Sequence, residues 1–165
     1  MEAKILSVTP RRRATIVFNG VLMFALGLIA GLLFTFALIG RVEAWPLIPT
    51  IQFEIPGSAQ AWRQTHIGLL VNGITLFAIA AVGKSILLTE RTQNLLVVCV
   101  LATGWFNIAG FVTGTLFGVR GLAYGDSLAN IATYLFFLVA VITAVVQTGL
   151  MLVGARRAMR TIGLG

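Results

Sequence analysis

The sequence predicts an all-α fold, a four-helix transmembrane bundle. Of its 165 residues, 58% are hydrophobic and only 10% are charged, whereas a soluble domain carries roughly a quarter charged residues to cover its surface. Four long apolar runs divide the chain, at about residues 16–40, 66–88, 95–117 and 128–153. Each is roughly 22–26 residues long, enough for a helix to cross a hydrocarbon core about 30 Å thick. The 12 Lys and Arg residues outnumber the five acids, and they gather at the chain ends and in the connections. That pattern fits lipid headgroups rather than nucleic acid, which needs a basic face on a soluble surface.

The first run is too long for the apolar stretch of a signal peptide and no small-x-small cleavage site follows it, so it reads as a retained helix. Arg11, Arg12 and Arg13 before it form a cytoplasmic anchor; a nuclear address is the weaker reading. The connection 41–58 contains Pro46, Pro49 and Pro56 and cannot be regular helix. Within it, Ile51-Gln52-Phe53-Glu54-Ile55 alternates as an extended segment does. Ser58, at the end of Pro56-Gly57-Ser58, is an N-cap for the second helix. Trp45 and Trp62 are expected at the headgroup level. A tight turn near 89–94 joins the second and third runs, and residues 118–127 join the third and fourth. Residues 1–165 thus form a single membrane domain.

Lys4, Arg11, Arg12, Arg13, Lys84, Arg91, Arg156, Arg157 and Arg160 fall on the side of the termini, against Arg41, Arg63 and Arg120 on the other. This bias predicts that both ends face the cytoplasm, N-in and C-in. Gly27/Gly31 and Gly110/Gly114/Gly118 place small residues four apart, which lets membrane helices approach closely within a bundle or between subunits.

Polar groups inside the spans are costly and are where function is first sought: Asn19, His66, Asn72, Trp105, Asn107, Asn130 and Gln147. His66 is the only histidine, and its imidazole can be a base, a hydrogen-bond partner or a ligand. Chemistry alone leaves open whether it is structural or a ligand. One histidine with no carboxylate in any span cannot build a zinc or di-iron site, but it can supply one axial bond to haem iron. The single Cys99 excludes an intrachain disulfide, and the absence of Cys-x-x-Cys-His excludes covalent c-type haem. Glu43, Glu54 and Asp126 lie in loops, so paired-carboxylate or Ser-His-Asp catalysis has no residues to work with, and no glycine-rich phosphate loop is present.

Pro56-Gly57-Ser58, Trp62, His66-Ile67-Gly68 and Asn72-Gly73 resemble the signature that leads into the second helix of bacterial styrene oxide isomerases. Gly104-Trp105-Phe106-Asn107 and Arg120-Gly121-Leu122 resemble a second patch of that family, at the same spacing from the first. The resemblance implies a membrane isomerase in the bacterial inner (cytoplasmic) membrane that turns an aryl epoxide into an aldehyde. It also implies a homotrimer holding b-type haem. By resemblance, His66 is the axial haem ligand and Asn72 lines the substrate site. A tyrosine of the family that helps hold the epoxide falls on Phe111 here, replacing a phenol donor by an apolar ring. Tyr124 and Tyr134 lie elsewhere in the sequence.

Helical geometry sets Asn72 about 9 Å deeper than His66, and Phe111 at about 10 Å depth in the same leaflet. It also turns His66 and Asn72 about 120° apart. A seam between neighbouring copies would bring His66 of one chain to Asn72 of the next. Iron with His66 on one face would act on the other face as a Lewis acid, opening the epoxide for a 1,2-hydride shift. The alternative is a non-catalytic haem-b-binding membrane protein for electron transfer, sensing or haem handling. A haem-free channel or structural subunit is the third reading.

Overall fold

The computed structural model describes residues 5–125 and 127–161. Lys4 and Asp126, among the terminal and loop charges above, lie outside the described residues. The elements run β1 (Ile5–Ser7), α1 (Pro10–Ile39), β2 (Val42–Ala44), β3 (Ile48–Ile51), α2 (Ala59–Val82), β4 (Leu87–Thr89), α3 (Glu90–Phe117) and α4 (Leu128–Thr161). All four helices are long and apolar enough to cross a membrane, so the chain is an all-α, multi-pass four-helix bundle.

Each helix starts where its local chemistry allows. Thr9 caps α1 by accepting from the Arg12 N–H, with Pro10 in the first turn, where a missing N–H costs nothing. Ser58 caps α2 by accepting from the Ala61 N–H, as its position predicts. Thr89 caps α3 by accepting from the Thr92 N–H. Gly40 and Gly118 end α1 and α3 at φ of 71° and 65°, the left-handed conformation that spares glycine a Cβ clash. α4, at 34 residues, is about 51 Å long by its helical rise. It therefore overruns a 30 Å hydrocarbon core and carries Arg156, Arg157 and Arg160 in its last turns.

The structure corrects several local expectations. The second helix begins at Ala59, directly after its Ser58 cap, but it stops at Val82 rather than running through the apolar stretch to residue 88. The apolar residues that follow are not its continuation: Leu87–Thr89 form β4, antiparallel to β1 through Ile5↔Thr89, Leu6↔Leu88 and Ser7↔Leu87. The reversal therefore precedes residue 89, and α3 starts at Glu90. The connection 41–58 folds into the β2–β3 hairpin, with Val42↔Ile51 and Ala44↔Ile48 paired. Trp45 stands exposed at its tip, and Trp62, in the first turn of α2, is buried against the protein and donates from Nε1 to the Pro56 carbonyl at 2.8 Å. Trp62 is thus a core residue that pins the loop.

Gln93 ties the terminal end together. It is 1% exposed, and its Nε2 donates to the carbonyls of Leu6 (3.0 Å), Ser7 (3.0 Å) and Leu88 (3.2 Å). Its Oε1 accepts from the Thr9 N–H at 3.2 Å and from Arg12 Nη1 at 3.0 Å. Arg12 also reaches Asn94 and Glu90, so one side chain joins β1, β4, α1 and α3.

In the membrane layer α1 packs most closely on α2, and α3 on α4. Glycines set the first seam: a Cβ on Gly73 would lie 2.9 Å from the Gly20 carbonyl, and one on Gly20 would lie 2.8 Å from the Phe77 ring. Met23 of α1 fills the notch over Gly104 of α3. Hydrogen bonds cross the seams where no water can serve: Thr65–Thr115 at 2.7 Å, Thr103–Thr143 at 2.8 Å, and Trp105 Nε1 to Asn19 Oδ1 at 2.9 Å.

Candidate active site

His66 lies half-buried on the flank of α2 that meets α1. Its Nδ1 is 2.7 Å from the Gly27 carbonyl of α1. A carbonyl only accepts, so Nδ1 carries a proton, and in the neutral ring the lone pair is on Nε2. One turn further on, Gly31 leaves the ring its place, since a Cβ there would lie 2.8 Å from both Nδ1 and Cε1. The Gly27/Gly31 row therefore seats an imidazole in one tautomer. This is the arrangement in which a ligating histidine donates its second ring N–H to a fixed acceptor. Among the described residues no three His, Cys, Asp or Glu side chains cluster. His66 offers one bond, which fits a group that brings its own remaining donors.

Gly31→Val is expected to expel the imidazole from this seat. The lost hydrogen bond and the overpacking together should cost about 2 kcal/mol. With only one histidine in the chain, imidazole 15N shifts should show a single Nδ1–H tautomer in the parent and a mixture in the variant.

Asn72 and Phe111 sit on the opposite flank of α2, toward α3. Asn72 Nδ2 donates to the Gly68 carbonyl at 2.8 Å, and its Oδ1 accepts from Asn107 Nδ2 at 3.3 Å. The Phe111 ring lies on Gly68, where a Cβ would come within 2.5 Å of it. It meets Phe137 of α4 edge-on at 5.3 Å. The Phe111 carbonyl accepts from Thr65 Oγ1 at 3.3 Å, which pins that stretch of α3 to α2. An open groove of about 860 Å³ runs here, with Thr65, Gly68, Gly110, Phe111 and Phe137 among its lining residues. His66 and Asn72 do not line it, and neither do Tyr124 or Tyr134, which stack on each other at 6.0 Å. One chain thus separates the imidazole from the Asn72–Phe111 flank, as the helical angle predicts.

The remaining polar residues have packing roles. Asn130 braces the loop between α3 and α4, donating to the Ala123 and Gly125 carbonyls and accepting from the Gly121 N–H. Trp105 and Asn107 tie α3 to α1 and α2. Gln147 is the exception: it is buried on α4, and its Oε1 has no hydrogen-bond partner among the described residues. Gln93 and the Thr65–Thr115 pair were not singled out by the sequence, because short polar residues in an apolar run carry no periodic signal of their own.

The sequence model of the family described as styrene oxide isomerase matches residues 12–156. The chain belongs to the styrene oxide isomerase family. A styrene-oxide isomerase of Pseudomonas fluorescens is 26% identical over 148 residues, covering 88% of this chain and 87% of the relative. The match takes in all of α2 and α3, so His66, Asn72 and Phe111 all lie within the part held in common. Membership in the styrene oxide isomerase family makes the chain a multi-pass membrane isomerase.

Proposed function

We propose that the chain converts an aryl epoxide such as styrene oxide to the corresponding aldehyde, with b-type haem held by His66. The reading is carried by the His66–Gly27 hydrogen bond, which commits Nδ1 and leaves Nε2 as the ring nitrogen available to a metal in a chain of this family. Haem bound there supplies a Lewis-acidic iron that draws electron density from an epoxide oxygen. The chain's residues do the rest. Gly27 holds the imidazole's tautomer and Gly31 its position. Asn72 has one Nδ2 hydrogen committed to Gly68 and its Oδ1 engaged by Asn107; its second Nδ2 hydrogen is the one left to donate to an epoxide oxygen held beside the α2–α3 groove. With Phe111 in place of the family's tyrosine, that donation falls to Asn72 alone. Phe111 and Phe137 wall the groove with apolar rings, which keep water from the electron-deficient benzylic carbon and so from forming a diol.

The rearrangement is internal to the substrate. The benzylic C–O bond breaks, a hydrogen moves with its electron pair from the oxygen-bearing carbon to the benzylic carbon, and the former becomes the aldehyde carbon. Nothing is oxidised or reduced overall, so no redox partner is needed. The separation of His66 and Asn72 on two flanks of α2 supports a site shared between copies, in the trimer that the family resemblance implies. The charge distribution supports the bacterial inner membrane with both termini in the cytoplasm.

The test is made on purified protein in lipid nanodiscs. A high-spin Soret band that shifts with epoxide analogues is expected. Styrene oxide deuterated at its terminal carbon should give phenylacetaldehyde with deuterium on both carbons. Diol as the product would overturn the isomerase reading. A low-spin spectrum indifferent to epoxides would point instead to electron transfer, and a monomer fully loaded with haem would remove the shared site.

A further inference from the structure

We propose that Arg63 and Arg120 grip the two carboxylates of the porphyrin at the mouth of the α2–α3 groove, an inference that rests on the haem reading above. The end of the bundle that carries the β2–β3 hairpin holds three guanidinium groups. Arg41 is spent on Glu43 at 3.0 Å. Arg63 and Arg120 have neither an ion pair nor a side-chain hydrogen bond among the described residues, and both line the groove.

They reach it from different elements. Arg63 stands in the second turn of α2, three residues before His66. Arg120 follows the Gly118 cap of α3, in a loop whose course is held by Gly121 at φ 59° and by its N–H bond to Asn130 Oδ1 at 3.0 Å. Alongside the two cations the groove is lined by Gly68, Gly110, Phe111 and Phe137, and by Thr65 and Thr115, whose hydroxyls are paired with each other. Two cations over an apolar slot suit a flat apolar body with two anionic groups on one edge. A guanidinium binds a carboxylate through two parallel N–H donors, and at the mouth of an apolar slot it is less screened than on an open surface. His66 faces the other flank of α2, so the arginines of one copy serve the group whose iron is held by its neighbour.

The experiment titrates full-length apoprotein in nanodiscs of neutral lipid with haem b and with its dimethyl ester, whose carboxylates are masked. The parent should bind haem b at least about tenfold more tightly than the diester, by Soret absorbance, since hydrogen bonds to charged groups contribute on that scale. The R63Q/R120Q double variant should bind the two porphyrins equally, with its diester affinity unchanged from the parent. Unchanged diester binding also shows that the variant is folded and its iron site intact. Retention of the haem b preference in the double variant overturns this inference and leaves the haem reading standing, as does equal binding of the two porphyrins by the parent. Binding of neither porphyrin by the parent overturns both.

Discussion

His66→Ala protein is expected to purify as a folded bundle without Soret absorbance, and to isomerise styrene oxide at least about a thousandfold more slowly. The magnitude follows from losing a Lewis acid worth several kcal/mol of transition-state stabilisation, at about 1.4 kcal/mol per factor of ten. The fold should survive, because the substitution removes one hydrogen bond, a loss of about 1 kcal/mol, and the Gly27 carbonyl stays within the backbone ladder of α1. Added imidazole should enter the vacated seat beside Gly31 and restore part of the Soret band. A variant that keeps its haem and its rate would remove His66 from the mechanism.

Gln93→Leu is expected to be the most damaging change remote from the site. Leucine preserves much of the volume but deprives three carbonyls and the Thr9 N–H of their partner and takes one contact from Arg12. A buried backbone group without a partner costs about 1–3 kcal/mol, and water at the bundle end recovers some of it. A net loss of about 2–4 kcal/mol follows, read as a lower thermal midpoint in detergent. The loss should begin locally. Among the described residues β1 pairs only with β4, so trypsin should cut at Arg11–Arg13 well before the helices separate. The rate per folded molecule should hold. A midpoint within about 1 °C of the parent would show that Gln93 is dispensable.

The gross fold was legible because a bilayer imposes a simple rule on sequence, long apolar runs with charges between them. Ser58 was legible for a different reason, since an N-cap is a local event. What could not be read was whatever depends on distant partners. Ile86-Leu87-Leu88 looks like the tail of a helix until a strand more than 80 residues earlier pairs with it, and a short apolar run does not distinguish the two by periodicity. The amphipathic indole of Trp62 gave no sign that its ring would be buried within the chain, which depends on the Pro56 carbonyl taking its N–H. In the candidate site, helical angle alone separated His66 from Asn72. Which neighbour each would face, and that Gly27 and Gly31 would serve the imidazole, needed the α1–α2 seam itself.

The acceptor for the imidazole proton is main chain, and this limits how the family's chemistry can diversify. A carboxylate partner could be exchanged for an amide or a hydroxyl, and the electron donation of the ring would change with it. The carbonyl of residue 27 is the same group whichever amino acid occupies that position, so point substitution there cannot alter its basicity. Natural variation, and any attempt to retarget the enzyme in the laboratory, must therefore act on the other flank of α2. There Phe111 and Phe137 line the groove, and side chains can be exchanged where backbone cannot.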